Sequence, residues 1–245
     1  MEVHHHAHTS RKKWTHYFWE FLMLFLAVFC GFLAEYQLEH KIEKDREKVF
    51  IKSMGEDVAK DTLMLTNVIK RAKSVAIHID TLLGIFQKQQ LDGPALITAY
   101  RVNLKSLQFF GPSFTDRTTV QLKNSGSVRL IRKKEVADAI VDYWSMADGV
   151  AKANDLLEDY KLRARDKSYS IFNQAYYLTD EKGMMYVQQI NLQLMTKDNF
   201  IITEYANRLS HIRNLIVNVY LPLLASNKET SLKLILLLKD KYHLK

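Results

Sequence analysis

The fold of this chain depends on residues 21–34, FLMLFLAVFCGFLA, a run of 14 residues without a charged side chain. As an α-helix this run is about 21 Å long, at ~1.5 Å per residue, which is shorter than the ~30 Å hydrocarbon core of a bilayer. Aromatic residues extend it at both ends, since Tyr17 and Trp19 precede it and Tyr36 follows it. Because aromatic rings favour the two headgroup levels of a membrane, we predict a transmembrane helix over residues 17–36.

Two other structures are compatible with the same run, a cleaved signal peptide and the buried core helix of a soluble protein. Basic residues 11–13 would supply the start of a signal peptide, but Phe32-Leu33-Ala34-Glu35, after the apolar core, makes a poor cleavage site. A buried core helix is a common explanation for runs of roughly 10–14 apolar residues. The aromatic residues at both ends favour an uncleaved membrane anchor over these alternatives.

Small residues recur on one face of the predicted span. Ala27, Gly31 and Ala34 are spaced by four and three positions, which places them on the same side of a helix. Small residues let two helix backbones approach closely inside a membrane. The stripe therefore suggests a homodimer formed through the span, although similar residues also occur in spans that do not associate.

The composition is that of a folded helical protein. The chain has 245 residues, of which 25% are charged, and only three are prolines and eight are glycines, which favours long helices over many strands and turns. Its single cysteine, Cys30, lies in the predicted span, so the remainder has no disulfide scaffold. The net charge of +8 is compatible with a nucleic-acid or anionic lipid partner. Basic and acidic residues are mixed almost throughout, however, which favours a solvated helical surface and makes nucleic acid an unlikely partner.

Residues 1–16 form a polar, histidine-rich tail. His4, His5, His6 and His8 are close enough for several imidazoles to bind one divalent transition metal ion. Weak metal affinity at the surface of an unstructured tail is the simpler interpretation, because Glu2 is the nearest acid and no partner residues that would orient the imidazoles are evident. Apart from this possible metal, the sequence predicts no cofactor.

Residues 37–90 are predicted to continue the membrane helix as a long membrane-proximal helix. Apolar residues then recur at alternating steps of three and four, which is typical of a helix packed along a seam; they are Leu65, Val68, Ala72, Val75, Ile79, Leu82 and Phe86. We expect this seam to pack inside a bundle, because further helices follow it. Asp57 and Asp61, one turn apart beside Glu56, are expected to lie on a solvated face.

Residues 91–245 are predicted to form the rest of an antiparallel helical bundle. Turn signals at 92–94, 111–113 and 124–126 separate the segments. The predicted helices cover 95–109, a short stretch through Val120 and Leu122, 133 to about 177, and 199–224, followed by a last helix capped by residues 226–229. We leave 184–195 unassigned. The predicted fold is all-α, with one N-terminal transmembrane helix continuing into the bundle.

Arg129 and Arg132 lie beside the predicted turn at residues 124–126, near the start of the next helix. Guanidinium groups beside the free amides of a helix N-terminus can hold a small anion. The alternative, which we favour, is a structural corner in which Leu130 and Ile131 enter the core and Arg129 pairs with a local acid.

Two segments resemble a known group of proteins. Residues 1–48 begin MEVHHHAH and run through the apolar span into AEYQLEHKIEK, and residues 119–131, TVQLKNSGSVRLI, contain the pattern LKxSGxxRLI. Both are similar to segments in a family of uncharacterised bacterial single-span membrane proteins with an N-terminal His cluster and a helical domain. The resemblance implies an anchor plus a helical domain, and it implies no activity.

The sequence contains no nucleotide-binding loop, zinc-protease motif or nucleophile elbow, which favours a protein that is not an enzyme. The leading hypothesis is a membrane-anchored helical bundle with a structural, accessory or protein-interaction role in the cell envelope. It would bind the membrane and another membrane or envelope protein, or a second copy of itself. A sensor-like bundle that binds a small anion or metal ion is the alternative, and a cytoplasmic, membrane-tethered nucleic-acid binder is the third hypothesis.

The orientation of the predicted span depends on two opposing signals. Lys and Arg at residues 41–52 favour a cytoplasmic location for the helical domain. A short basic tail before a first span, however, commonly stays in the cytoplasm while long domains are translocated. We therefore expect a single-pass protein of the bacterial inner membrane, with its helical domain on the periplasmic side.

Overall fold

The computed structural model describes residues 14–89, 91–108, 111–124 and 126–244, with the side chain of residue 127 excepted. The chain divides into two compact units, Met1–Val49 and Phe50–Lys245. The histidines of the N-terminal cluster lie outside the described residues, so the metal prediction made for them stays a prediction.

The first unit contains the beginning of helix α1, which covers Trp14–Gln87. The helix thus includes the whole predicted span and does not end where the span ends. One helix of the described chain is long and apolar enough to cross a membrane, by length and composition, and none of its most apolar 18 residues is buried. Large side chains such as Phe21, Leu24 and Phe32 are therefore exposed along this segment.

The second unit is almost entirely helical. Besides the later part of α1 it contains α2 (Gly93–Leu107), α3 (Arg117–Asn124), α4 (Lys134–Ser168), α5 (Asn199–Leu215) and α6 (Leu221–Tyr242). A π-helical turn, Ile216–Tyr220, joins α5 to α6, and short 3-10 helices cover Ser127–Leu130 and Gln174–Tyr176. Strands β1 (Tyr177–Thr179) and β2 (Met185–Val187) form an antiparallel hairpin in which Leu178 pairs with Tyr186. The all-α prediction is confirmed, with this small hairpin added.

In the second unit α6 runs antiparallel to α4, and α5 runs antiparallel to α1. Lys241 near the end of α6 pairs with Glu135 at the start of α4 (Nζ–Oε1 2.9 Å), and Arg213 of α5 pairs with Asp80 of α1 (Nε–Oδ1 3.0 Å).

Helices α1 and α4 run parallel, because Asp61 and Phe86 of α1 contact, in the same order, Tyr143 of α4 and Phe172 just after α4. The predicted antiparallel bundle is therefore only partly correct.

The predicted seam is buried from Leu65 to Phe86 within the larger apolar core. A second apolar core, around Ile51 and Trp144, lies at the other end of the unit.

Several predicted boundaries are wrong. Helix α4 ends at Ser168 and not near residue 177, because the chain turns there into the hairpin.

Pro222 does not end the preceding helix. Residues 226–229, predicted to cap the last helix, lie inside α6. A proline lacks the N–H that an α-helix needs. The π-helical turn directly before Pro222 changes the hydrogen-bond spacing, and the helix continues through it.

Candidate functional site

The most developed polar cluster in the second unit is built around Asp57 and Asp61 of α1. Both side chains are buried, 2% and 1% exposed, so the prediction of a solvated acidic face is wrong. The reason is that α3 and the loop before it cover this face of α1 and hydrogen-bond to both carboxylates. We call these two residues with Thr115, Arg117, Thr118 and Tyr143 the aspartate centre.

Asp57 holds the beginning of α3. Its two carboxylate oxygens accept hydrogen bonds from the guanidinium of Arg117 (2.9 Å) and from the backbone N–H (3.2 Å) and hydroxyl (2.5 Å) of Thr118. Thr118 lies in the first turn of α3, where backbone N–H groups have no partner within the helix. A carboxylate at this position also interacts favourably with the helix dipole. Asp57 therefore caps a helix to which it does not belong.

Asp61 connects the same loop to α4. One carboxylate oxygen accepts hydrogen bonds from the backbone N–H and the hydroxyl of Thr115, both at 2.9 Å, and the other accepts one from the hydroxyl of Tyr143. Burial, together with this bond to Asp61, raises the pKa of Tyr143, so its phenol stays protonated and remains a donor. Every carboxylate oxygen of the aspartate centre thus has a donor, and the centre fastens α1, α3 and α4 together.

A second polar network holds the hairpin. The hydroxyl of Tyr205 donates to the side-chain oxygen of Asn103, whose amide nitrogen donates to the hydroxyl of Tyr177 (3.0 Å). The hydroxyl of Tyr177 in turn donates to the backbone carbonyl of Tyr100 (3.1 Å). Burial raises the pKa of both Tyr177 and Tyr205, which keeps these phenols neutral. The network fastens β1 to α2 and α5.

The hydroxyl of Tyr100 secures the segments on both sides of the hairpin. It donates to the backbone carbonyl of Gln193 (2.6 Å) and accepts from the backbone N–H of Asn173 (3.0 Å). The ring of Phe172 packs edge to face against that of Tyr100, with centroids 4.9 Å apart. Tyr100 therefore holds the backbone both before and after the hairpin.

Several large apolar side chains in and after the hairpin are exposed. Ile190 is 71% exposed and Phe200 is 77% exposed, and four other large apolar side chains nearby in the sequence are also exposed. We call the whole set the hairpin surface; the other members are Met184, Met185, Tyr186 and Met195. Residues 183–196, which contain most of it, include no charged residue in a chain where 25% of residues are charged.

A small cavity lies beside the hairpin surface, between the ends of α2 and α4. Its volume is about 210 Å³, and Leu104, Leu107, Gln108, Tyr169 and Gln174 are among its lining residues. The side-chain amide of Gln108 is 3.6 Å from the sulfur of Met185, which joins the cavity to the hairpin surface. The cavity thus has apolar and hydrogen-bonding lining groups together with the basic side chain of Arg165.

The predicted site residues do not come together in one place. Arg129 lies in the 3-10 helix after Gly126, which has a left-handed backbone (φ +62°) as the glycine there suggests, and Arg132 lies shortly before α4. Both arginines are exposed, whereas Ile131 between them is buried, as expected for a structural corner. The anion site at Arg129 and Arg132 stays a prediction.

The small-residue stripe lies in the first unit. Ala27, Gly31 and Ala34 are all exposed on α1, and their use in helix association stays a prediction. Among the described residues no group of three or more His, Cys, Asp or Glu side chains is arranged to hold a metal ion.

The sequence reasoning missed both the aspartate centre and the hairpin surface. The partners of Asp57 and Asp61 lie more than fifty residues away, so no local spacing could identify them. The hairpin surface does have a local signal, since residues 183–196 combine methionine, tyrosine and leucine with a complete lack of charge.

Comparisons of the chain with protein-family models, with curated proteins and with solved structures find no match.

Proposed function

We propose that this protein is a single-pass membrane protein whose helical unit acts, without catalysis, as an interaction module for another protein of the cell envelope. The observation that carries the proposal is the first part of α1, where the most apolar 18-residue stretch has no buried residue. The core helix of a soluble protein buries such side chains against its own fold.

The exposed apolar side chains at the beginning of α1 require lipid or another protein to shield them from water. Along residues 17–36, the exposed side chains include Phe18, Phe25, Phe29 and Leu33. Contiguous apolar surface that a protein leaves uncovered marks a membrane or protein interaction site. The aromatic residues at the two ends of the segment favour lipid as the cover, since they suit the headgroup levels.

The bundle is proposed as an interaction module because its best-developed polar groups serve the fold. The aspartate centre and the tyrosine network have their donors and acceptors engaged with each other. The hairpin surface, in contrast, exposes apolar side chains on a segment that hydrogen bonds of Tyr100 and Tyr177 hold. Its composition favours contact with a protein over chemistry on a small molecule.

The proposed location is the bacterial inner membrane, with the helical unit on the periplasmic side. The resemblance of residues 1–48 and 119–131 to bacterial single-span proteins supports the bacterial origin. The short basic tail before the span supports a cytoplasmic N-terminus.

Thiol labelling of the full-length protein tests this proposal. Cys30→Ser removes the native thiol, and Ser10→Cys and Ser145→Cys each introduce one, Ser145 being exposed on α4. A membrane-impermeant maleimide is added to intact bacteria after permeabilisation of the outer membrane. We expect labelling of the Ser145→Cys variant only, and of both variants after detergent lysis.

Other labelling patterns contradict the proposal in different ways. Labelling of the Ser10→Cys variant alone would place the helical unit in the cytoplasm and favour the nucleic-acid hypothesis. Labelling of both variants in intact cells would contradict a single span, and so would release of the protein from membranes by alkaline carbonate.

A further inference from the structure

We propose that a groove between α4 and α5 of the helical unit is a binding site for a phosphate monoester. The inference goes beyond the proposed function, and it does not depend on the membrane anchor. The groove has a volume of about 470 Å³, which lies within the ~300–1,000 Å³ usual for small-molecule sites. We call it the arginine groove; its lining residues are Tyr160 and Arg163 of α4 and Glu204, Asn207, Arg208 and His211 of α5.

The arginine groove is formed where α4 and α5 run side by side in opposite directions. The ring of Tyr160 packs edge to face against that of His211, with centroids 4.5 Å apart. One turn further along α4, the backbone carbonyl of Arg163 accepts a hydrogen bond from Nη1 of Arg208 (3.4 Å). Arg163 and Arg208 therefore lie at the same level on the two facing helices, beside an aromatic pair.

The carboxylate that lines the groove is shared by two cations. Oε1 of Glu204 accepts a hydrogen bond from Nη2 of Arg208 (2.8 Å), and its Oε2 pairs with Nζ of Lys167. The hydrogen bonds from Lys167 and Arg208 lower the pKa of Glu204, which keeps this carboxylate ionised. Because one negative charge faces two positive charges, these three side chains together retain one positive charge.

The ion pair of Arg163 is one that a ligand can replace. Arg163 pairs with Asp159, one turn away on its own helix (Nη2–Oδ2 2.9 Å), and the two side chains are 65% and 50% exposed. Exposed ion pairs of this kind contribute little to stability. Two further acids of α4, Asp155 and Asp166, are exposed and do not line the groove. An anion of higher charge than a carboxylate can therefore compete for the guanidinium of Arg163.

A phosphate monoester matches the donors of the arginine groove. It carries about −1.5 to −2 charges at pH 7 and three acceptor oxygens. The guanidinium groups of Arg163 and Arg208 are planar forks that bind two phosphate oxygens at once, and the imidazole of His211 supplies a further donor. A carboxylate has only two oxygens and one charge, so it engages fewer of these groups.

The aromatic pair gives the organic part of the ester a surface to lie against. Tyr160 is half-buried, and its ring and that of His211 line the groove beside the arginines. Aromatic side chains pack favourably against other planar rings. The groove therefore favours a soluble, ring-bearing phosphate monoester. A lipid with a monoester headgroup supplies the same phosphate without a ring, so the experiment includes both sources.

Calorimetric titration of the full-length protein in a neutral detergent tests the inference. Phenyl phosphate is the probe, and benzoate and inorganic phosphate are the comparisons. We expect phenyl phosphate to bind at least about five-fold more tightly than either, because it alone engages both the arginines and the rings. No binding at millimolar phenyl phosphate would reject the site, and equal affinity for benzoate would reject the assignment of phosphate.

A pair of variants tests whether phenyl phosphate binds in the arginine groove. Arg163→Gln should weaken its binding about ten-fold, since one bidentate contact with the phosphate is lost. The matched control is Lys152→Gln, because Lys152 pairs with Asp148 at the same spacing on α4 and is 76% exposed. The control should bind as the unmodified protein does. Equal affinities of the two variants would reject the arginine groove as the site.

Tyr160→Leu tests the aromatic pair. It should weaken the binding of phenyl phosphate about three-fold and leave that of inorganic phosphate unchanged, because only the ester has a ring to place there. An equal loss for both probes would contradict a ring-bearing ligand.

Competition by lipids distinguishes the two sources of phosphate. Mixed micelles of phosphatidic acid present a phosphate monoester, and those of phosphatidylglycerol present a diester. We expect neither to displace phenyl phosphate, as a soluble ligand requires. Displacement by phosphatidic acid alone would assign the site to a lipid headgroup in place of a soluble ester, and equal displacement by both lipids would reject the monoester.

Discussion

Asp57 and Asp61 lie one turn apart on α1, where two carboxylates on one helix face normally repel each other. Each is stabilised by different donors, with Arg117 and Thr118 serving Asp57, and Thr115 and Tyr143 serving Asp61. A buried carboxylate is tolerated only when hydrogen bonds replace its lost water. The pair therefore fixes which face of α1 meets α3 and α4.

We predict that Asp61→Ala lowers the free energy of unfolding by about 2–4 kcal/mol, because the buried donors of Thr115 and Tyr143 lose their acceptor. The matched control is Glu56→Ala. Glu56 also pairs with Arg117, but its side chain is 51% exposed and the N–O distance is 3.7 Å. An exposed pair of this kind contributes less than about 1 kcal/mol. Denaturant unfolding of the detergent-solubilised protein, followed by circular dichroism, measures both. Equal losses would show that the aspartate centre has no special role.

The loop after α2 approaches the Asn154 side chain of α4 closely at Gly111. A Cβ atom built at Gly111 would lie 1.9 Å from the side-chain oxygen of Asn154 and 2.3 Å from its Cγ. The same oxygen of Asn154 accepts a hydrogen bond from Tyr220 (3.2 Å), which ends the π-helical turn before α6. One side chain of α4 thus contacts both a loop and the junction of α5 with α6.

Two alanine substitutions should therefore have opposite effects. Gly111→Ala should destabilise the protein by about 1–3 kcal/mol, because the Asn154 side chain must move and lose its bond to Tyr220. Gly149→Ala should stabilise it by about 0.5–1 kcal/mol, since Gly149 lies inside α4 and its Cβ would contact nothing within 4 Å. Thermal unfolding followed by circular dichroism gives the sign of each change. A stabilised Gly111→Ala variant would contradict the close approach.

The molecule combines a unit that exposes its apolar residues with one that buries them. In the first unit the side chains of α1 at 17–36 are almost all exposed. In the second unit the seam residues of the same helix, from Leu65 to Phe86, are buried in the larger core. One helix thus carries a surface suited to lipid and a surface suited to protein, in separate parts of its length.

A single charge placed in the first unit should therefore affect membrane integration, and the same charge in the second should not. Leu26→Arg puts an arginine at the centre of the predicted span, which costs about 2.5–3.5 kcal/mol on insertion scales and should shift much of the protein to the soluble or degraded fraction. Leu63→Arg changes a leucine that is 70% exposed in the helical unit. Its membrane fraction should match that of the unmodified protein in quantitative fractionation. Equal fractions for the two variants would contradict the anchor.

Local pattern was sufficient for the helices, the seam and the apolar run, because periodicity, turn residues and hydrophobicity depend on neighbours within a few positions. The seam from Leu65 to Phe86 and the turn at Gly126 appear where these patterns predict them. The same patterns predict the wrong end for α4 and a false helix end near Pro222. Local propensity does not predict a hairpin or a π-helical turn that is stabilised by contacts with residues far away in the sequence.

The tertiary structure alone decided the role of the two aspartates and the hydrogen bonds that hold the hairpin. Tyr143 lies 82 residues from Asp61, and Tyr205 lies 102 residues from Asn103. Burial of a polar side chain is stable only when partners from other segments satisfy it, and those partners are brought near only by the folded chain. The identity of each residue was visible in the sequence, but its surroundings became visible only in the fold.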